Sequence, residues 1–244
     1  MAAVTLLTAG CGSAGSTSES SSSASSPQSP STHVGASSPA GPLAAWPCLA
    51  DVGATAAVVP GTPDLTLAFL GTGTRIVIFS NESDEDLCSW LPFAHRLVDR
   101  GFEVALYDYV AAPQDDLARA IAFTRRRSAT AVALIGASEG AKTSIVEGAT
   151  VSPPVQAVVS LSAEAALQGV AVAPYAAKVR VPTMFVTAAH DAYGATSATT
   201  GFYRAAPART KRLVTVPGSA HGTALLRAAA VTTAVLAFVV AHDH

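Results

Sequence analysis

Residues 131–147 constrain the fold more than any other stretch. Ala131-Val132-Ala133-Leu134-Ile135 is an apolar run of strand length. It ends in Gly136-Ala137-Ser138-Glu139-Gly140 and gives way to Ala141-Lys142-Thr143-Ser144-Ile145-Val146-Glu147, which has helical character. A strand that turns sharply into a helix through Gly-x-Ser-x-Gly carries its serine at the tip of a tight, strained turn, with the hydroxyl pushed clear of the sheet. Gly136 and Gly140 lack a Cβ and let strand and helix close around Ser138. Two other readings share these residues. One is a glycine-rich βα turn with no chemistry. The other is a phosphate-binding loop, because residues 136–143 read G-x-x-x-x-A-K-T; Ala141 stands where that loop requires glycine.

Neighbouring segments extend the pattern. Apolar runs at 54–59, 65–70, 75–80, 103–108, 155–161, 181–187 and 212–216 read as strands. The opening strands are close enough in sequence to pair as hairpins. Helical segments are expected from the polar loop 81–86 to Arg100, over 114–127, in part over 163–178 around Pro174, over 194–206, and as a long closing helix over 223–241. That last segment approaches membrane-spanning length, but Arg227 interrupts it and an Ala-rich helix packed on a sheet accounts for it equally. Continuous apolar strands alternating with helices predict an α/β chain: a mostly parallel, doubly wound sheet with helices on both faces.

A serine hydroxyl is a weak nucleophile and needs a base and an orienting acid. Two strand ends offer them. His190-Asp191 follows strand 181–187, and Gly218-Ser219-Ala220-His221-Gly222 follows strand 212–216. In a parallel sheet both loops leave the edge from which the Ser138 turn leaves. The order Ser138, Asp191, His221, each at a strand end, favours serine chemistry over phosphate binding. Asp191 also reads as a helix-capping aspartate, and His221 as a surface loop histidine. Glu164 is a reserve acid, with a solvated place in the first turn of a helix as its plainer reading. Asp108 reads as a loop-fixing residue, and His242-Asp243-His244 as a frayed end.

On these residues the chain resembles the α/β-hydrolase superfamily, in particular compact serine esterases and dienelactone hydrolases, over about residues 50–244. The resemblance implies Ser138 as nucleophile, His221 as general base and Asp191 as its orienting acid. It implies an oxyanion site made by the backbone N–H of Glu139 and of Glu82, or alternatively Asn81. Here the chain departs from the pattern: Ser80-Asn81-Glu82 stands where such enzymes carry His-Gly, placing an acidic side chain near a developing negative charge. Only about 20 residues separate strands 155–161 and 181–187, where caps are commonly inserted, so no substantial cap and a small or exposed acyl substrate are expected. The activity implied is hydrolysis of a carboxylic ester or thioester, without a cofactor or metal. The alternative is a weak or inactive hydrolase-fold binding protein.

The N-terminal residues suggest an address. Residues 1–11 are an apolar stretch of small residues ending in Cys11, and resemble the end of a bacterial lipoprotein signal. No Lys or Arg precedes the run, and Thr8 stands where that signal usually has Leu. Residues 12–44 are rich in Ser, Ala and Pro and read as a disordered tether, leaving 45–244 as the folded domain. The expectation is an exported protein held at the membrane surface by lipid on Cys11, or a secreted one. Cys48 and Cys88 are then an even remainder and read as a disulfide, with two separate buried thiols as the alternative. With 15 Lys and Arg against 17 Asp and Glu, and no basic stripe, nucleic acid is not an expected partner.

Overall fold

The computed structural model describes residues 41–127 and 129–243. The expected lipid signal at 1–11 and the expected tether as far as residue 40 lie outside these residues; the last part of the expected tether is instead ordered, with Gly41–Leu43 in a 3₁₀ turn and Leu43 buried in the core.

The strands form because their residues are apolar on both faces. In β3 (Arg75–Ser80), Val77 and Phe79 enter the core on one side of the sheet while Ile76 and Ile78 enter the core on the other. β1 (Thr55–Val59), β2 (Leu65–Leu70), β3, β4 (Glu103–Leu106), β5 (Ala131–Ala137), β6 (Ala157–Leu161), β9 (Thr183–Ala188) and β10 (Lys211–Val216) make one eight-stranded sheet in the order β1-β2-β4-β3-β5-β6-β9-β10. β1 pairs with β2, and β2 with β4, antiparallel; every pair from β4 to β10 is parallel. The first two strands thus form the expected hairpin. β2 and β3 do not pair, because β4 lies between them.

Helices cover both faces. α1 (Leu91–Val98) and α6 (Ala229–Ala241) pack on the face that carries Phe79 and Ile135. α2 (Pro113–Arg126) packs on the opposite side, with Leu117 and Ile121 against Ile78 and Leu134. α3 (Glu139–Thr150) and α5 (Ala195–Ala205) bury Ile145 and Phe202 around Phe185. α1 ends where Gly101 adopts φ 77°. There the Phe102 N–H reaches back to the Leu97 carbonyl at 3.2 Å and Gly101 N–H to Val98 at 2.9 Å, a Schellman cap. Cys48 and Cys88 form a disulfide that ties the start of the domain to the 3₁₀ turn Leu87–Trp90.

Three local expectations need correction. Residues 163–178, expected to be helical in part, are helical only near their end, and Glu164 is not in a helix. Gln168 and Gly169 take φ 46° and 81° and turn a short hairpin, β7 (Ala166–Leu167) with β8 (Val170–Ala171), and only α4 (Ala173–Ala176) follows, with Pro174 in its first turn. The closing helix is shorter than expected: Gly222–Arg227 is a 3₁₀ turn, Ala228 is extended, and α6 begins at Ala229. No helix among the described residues is long and apolar enough to cross a membrane. The chain end is packed rather than frayed as far as Asp243. Asp243 pairs with Arg75, and the His242 ring lies 4.5 Å from that of Phe238.

Candidate active site

Ser138 sits at the β5–α3 turn with φ 50° and ψ −110°, outside the regions ordinary residues occupy. Such a conformation costs on the order of 1–3 kcal/mol and persists only where its surroundings enforce it. Here they do. The Ser138 N–H donates to the Leu161 carbonyl at the end of β6 (2.9 Å). The Gly140 N–H donates to the Asn81 carbonyl just beyond β3 (2.9 Å), so the turn is pinned from both neighbouring strands. Both glycines are obligatory. A Cβ on Gly136 would lie 2.0 Å from the Gly140 carbonyl oxygen, and one on Gly140 would lie 2.0 Å from that of Ser80.

Parallel pairing of β9 with β10 brings the two loops together. Backbone bonds from Ala189 to Val216, His190 to Gly218 and Ala192 to Ser219, all 2.8–3.1 Å, zip them over three residues. This places His221 Nδ1 at 2.8 Å from Asp191 Oδ1. Asp191 is buried and engaged at both oxygens. Oδ1 also accepts the N–H groups of Tyr193 (3.0 Å) and Ala195 (3.3 Å), and Oδ2 accepts the Ser162 hydroxyl (2.7 Å). The carboxylate therefore caps the approach to α5 and fixes the imidazole at once. Nδ1–H toward Asp191 leaves Nε2 on the far side of the ring. The exposed Tyr193 ring lies against the imidazole, centroid to centroid 4.4 Å. His190 is exposed.

Glu164 is not the solvated residue of a helix turn. It lies in the irregular stretch after β6, half-buried, with Oε1 3.0 Å from Ser138 Oγ and 3.4 Å from His221 Nε2. No direct hydrogen bond joins Ser138 to His221 among the described residues; one Glu164 oxygen faces both. Its other oxygen pairs with Lys142 Nζ at 2.9 Å, and Lys142 also pairs with Glu139 Oε2 at 2.8 Å. A buried ammonium alone would cost several kcal/mol; two carboxylates offset that here. Burial works against the Lys142 charge, yet the hydrogen bonds and charges of Glu139 and Glu164 outweigh it and raise its pKa. Burial likewise works against the Glu164 charge, but His221 and Lys142 pull its carboxyl down to about 2. For His221, burial would lower the pKa; the hydrogen bonds and charges of Glu164 and Asp191 prevail and raise it. The sequence holds one clue to Lys142: it follows Glu139 by three residues and Ser138 by four, on one face of a helix.

The Glu82 side chain points neither to solvent nor at Ser138. It is buried, and Oε1 accepts the backbone N–H (2.7 Å) and hydroxyl (2.5 Å) of Thr223. A Cβ on Gly222, at φ 53°, would lie 2.0 Å from Glu82 Oε2. The acid thus clamps the loop after His221 to the end of β3. Asn81 is a structural hub. Its amide donates to the Tyr107 carbonyl (2.9 Å) and Asp108 Oδ1 (2.6 Å), and its oxygen accepts the Trp90 indole N–H (2.9 Å). Asp108 accepts also from Leu87 N–H and the Trp46 indole, fixing a loop as expected. The backbone N–H groups of Glu139 and Glu82 donate to no acceptor among the described residues.

No family model matches the chain, and no curated protein matches it. Solved structures do. A Pyrococcus furiosus esterase superposes with a TM-score of 0.69 at 13% identity, covering 79% of this chain and 94% of that one. A dienelactone hydrolase from Anabaena variabilis gives 0.65 at 19%, covering 78% and 98%. A Paleococcus ferrophilus monoacylglycerol lipase gives 0.65 at 14%, covering 73% and 99%. Together with the strand order, the strained serine turn and the short β6–β9 connection, this likeness establishes that the chain has the α/β-hydrolase fold without a large cap domain.

Proposed function

We propose that the protein is a serine hydrolase that cleaves a carboxylic ester or thioester through an acyl-enzyme on Ser138. The observation that carries this reading is the His221 ring: Asp191 holds Nδ1, and Nε2 faces the same carboxylate oxygen that the Ser138 hydroxyl meets. Displacement of that carboxylate lets hydroxyl and imidazole face one another. His221 Nε2 then takes the Ser138 proton as Oγ attacks the carbonyl carbon, and returns it to the departing alcohol or thiol. A water, deprotonated by the same nitrogen, releases the acid and restores Ser138. The unengaged N–H groups of Glu139 and Glu82 are the proposed donors to the oxyanion. With Glu82's carboxylate clamped on Thr223, its charge is directed away from that position. Esterase, lipase and lactonase names among the structural neighbours agree with this class of chemistry.

The competing reading is a binding protein that keeps the fold without turnover, and the carboxylate standing between Ser138 and His221 favours it. A fluorophosphonate probe separates the two. Stoichiometric labelling mapped to Ser138 by peptide mass spectrometry, lost in Ser138→Ala, is expected; an unlabelled Ser138 in folded protein overturns the hydrolase reading. The sequence-based address, lipid on Cys11 followed by a tether, belongs to the same proposal and would put the enzyme at a membrane surface. Incorporation of an alkyne fatty acid that disappears in Cys11→Ala is the expected outcome.

A further inference from the structure

Ser138 and His221 both meet one carboxylate oxygen of the same chain, and no direct hydrogen bond joins them among the described residues. Glu164 Oε1 lies 3.0 Å from the Ser138 hydroxyl and 3.4 Å from His221 Nε2. For His221 to act as a base, Nε2 must be unprotonated and must face Oγ. An anionic oxygen at Nε2 favours the opposite state: a proton on Nε2 directed at Glu164, and one on Nδ1 directed at Asp191. The imidazole then sits as a cation between two carboxylates and has no lone pair for the Ser138 proton. The hydroxyl, meanwhile, donates to an acid too weakly basic to take its proton.

The charged groups around this point come from every element that packs there. Glu139 and Lys142 face it from α3, Glu164 from the stretch after β6, and Asp191 from the β9–α5 loop, with the Tyr193 ring over His221. Glu82 is engaged by Thr223 on the other side of the His221 loop. Of the two carboxylates that reach His221, the Asp191 side chain is 0% exposed while that of Glu164 is 25% exposed. Glu164 has a route to solvent and, in Lys142, a cation to receive it.

We propose that Glu164 is a positioning residue that keeps Ser138 and His221 apart in the resting protein, and that Lys142 retains its carboxylate when an ester displaces it from the site. The inference rests on the serine-hydrolase reading. It makes opposite predictions for the two partners of one ion pair. Removing the Glu164 charge releases the imidazole; removing the Lys142 charge leaves Glu164 free to bind it more tightly.

The test follows the His221 imidazole by NMR titration of ¹⁵N-histidine-labelled full chain, alongside the rate of fluorophosphonate labelling against pH. Glu164→Gln is expected to lower the His221 midpoint by about one pH unit or more. It should also speed labelling at about pH 6 roughly tenfold. Lys142→Met is expected to move the midpoint upward and slow labelling. Midpoints and rates that stay at the wild-type values in both variants, or that shift the same way in both, overturn the proposal. If the wild type does not label at any pH, the hydrolase reading fails on that arm. The titration still decides whether Glu164 and Lys142 set the His221 midpoint, because it needs no turnover. If Glu164→Gln fails to fold, the direction of the Lys142→Met shift decides.

Discussion

Two carboxylates face the His221 ring, and they are built differently. The Asp191 side chain has no exposed surface, accepts from a ring nitrogen, two backbone N–H groups and a hydroxyl, and is flanked by loops zipped together by three backbone bonds. Glu164 is part-exposed, lies in irregular chain, and is held chiefly by the side chains of Ser138, Lys142 and His221. A buried acceptor engaged by backbone donors keeps its place; one held by mobile partners can leave at modest cost. The comparison teaches that one side of the ring orients it, while the other side controls whether it is free to act.

The comparison can be broken first at Asp191. Asp191→Asn keeps the shape but presents the wrong hydrogen-bond donor to Nδ1, and kcat/KM toward an activated ester is expected to fall on the order of 10⁴-fold. A loss of only a few-fold would mean that Asp191 does not fix the ring. The next largest effect is on stability. Asn81→Ala strips partners from the Trp90 indole and the Asp108 carboxylate, and should cost about 3 kcal/mol in denaturant unfolding. Thr223→Val removes one hydrogen bond to the Glu82 carboxylate and should cost about 1–2 kcal/mol. Thr223 anchors the loop after His221 and the Asn81 carbonyl accepts from the serine turn, so both changes should reduce kcat/KM as well as stability.

The pH profile sharpens the comparison. Burial works against the His221 charge, but the hydrogen bonds and charges of Glu164 and Asp191 raise its pKa, so the neutral, proton-accepting form dominates only at a higher pH than for an unperturbed histidine. The rising limb of kcat/KM against pH is therefore expected above about pH 6.5. The sign for stability is opposite. The charged imidazole's contribution is fully present below the unfolded-state pKa and is lost as pH rises through the folded one. For Glu164, held near 2, the contribution is present above the ordinary carboxylate range and is lost only as pH falls toward 2. The smallest effect is at Tyr193, whose exposed ring lies against His221. Tyr193→Ala should change kcat/KM by about two- to fivefold.

Much of this site was legible in the residues. Gly136 and Gly140 marked the turn because their missing side chains are a steric necessity there. Asp191 and His221 followed from strand ends on one sheet edge. Glu164 was misread because the helical reading of 163–178 put it on an exposed turn. The hairpin begun by the left-handed Gln168 and Gly169 instead leaves it facing Ser138. Glu82 was read as a liability for the oxyanion because its partner, Thr223, is 141 residues away in sequence. Such a pairing depends on where two distant loops meet, which no local pattern encodes. The break at Ala228 that shortens the closing helix likewise has no Gly or Pro to announce it.

The central claim is that Ser138 carries the acyl group. Quenching the protein in acid during turnover of p-nitrophenyl acetate and mapping its peptides by mass spectrometry tests this directly. The account predicts an acetyl adduct on Ser138 that accumulates in the wild type and is absent from Ser138→Ala. Turnover with the adduct on another residue, or undiminished turnover in Ser138→Ala, would contradict it.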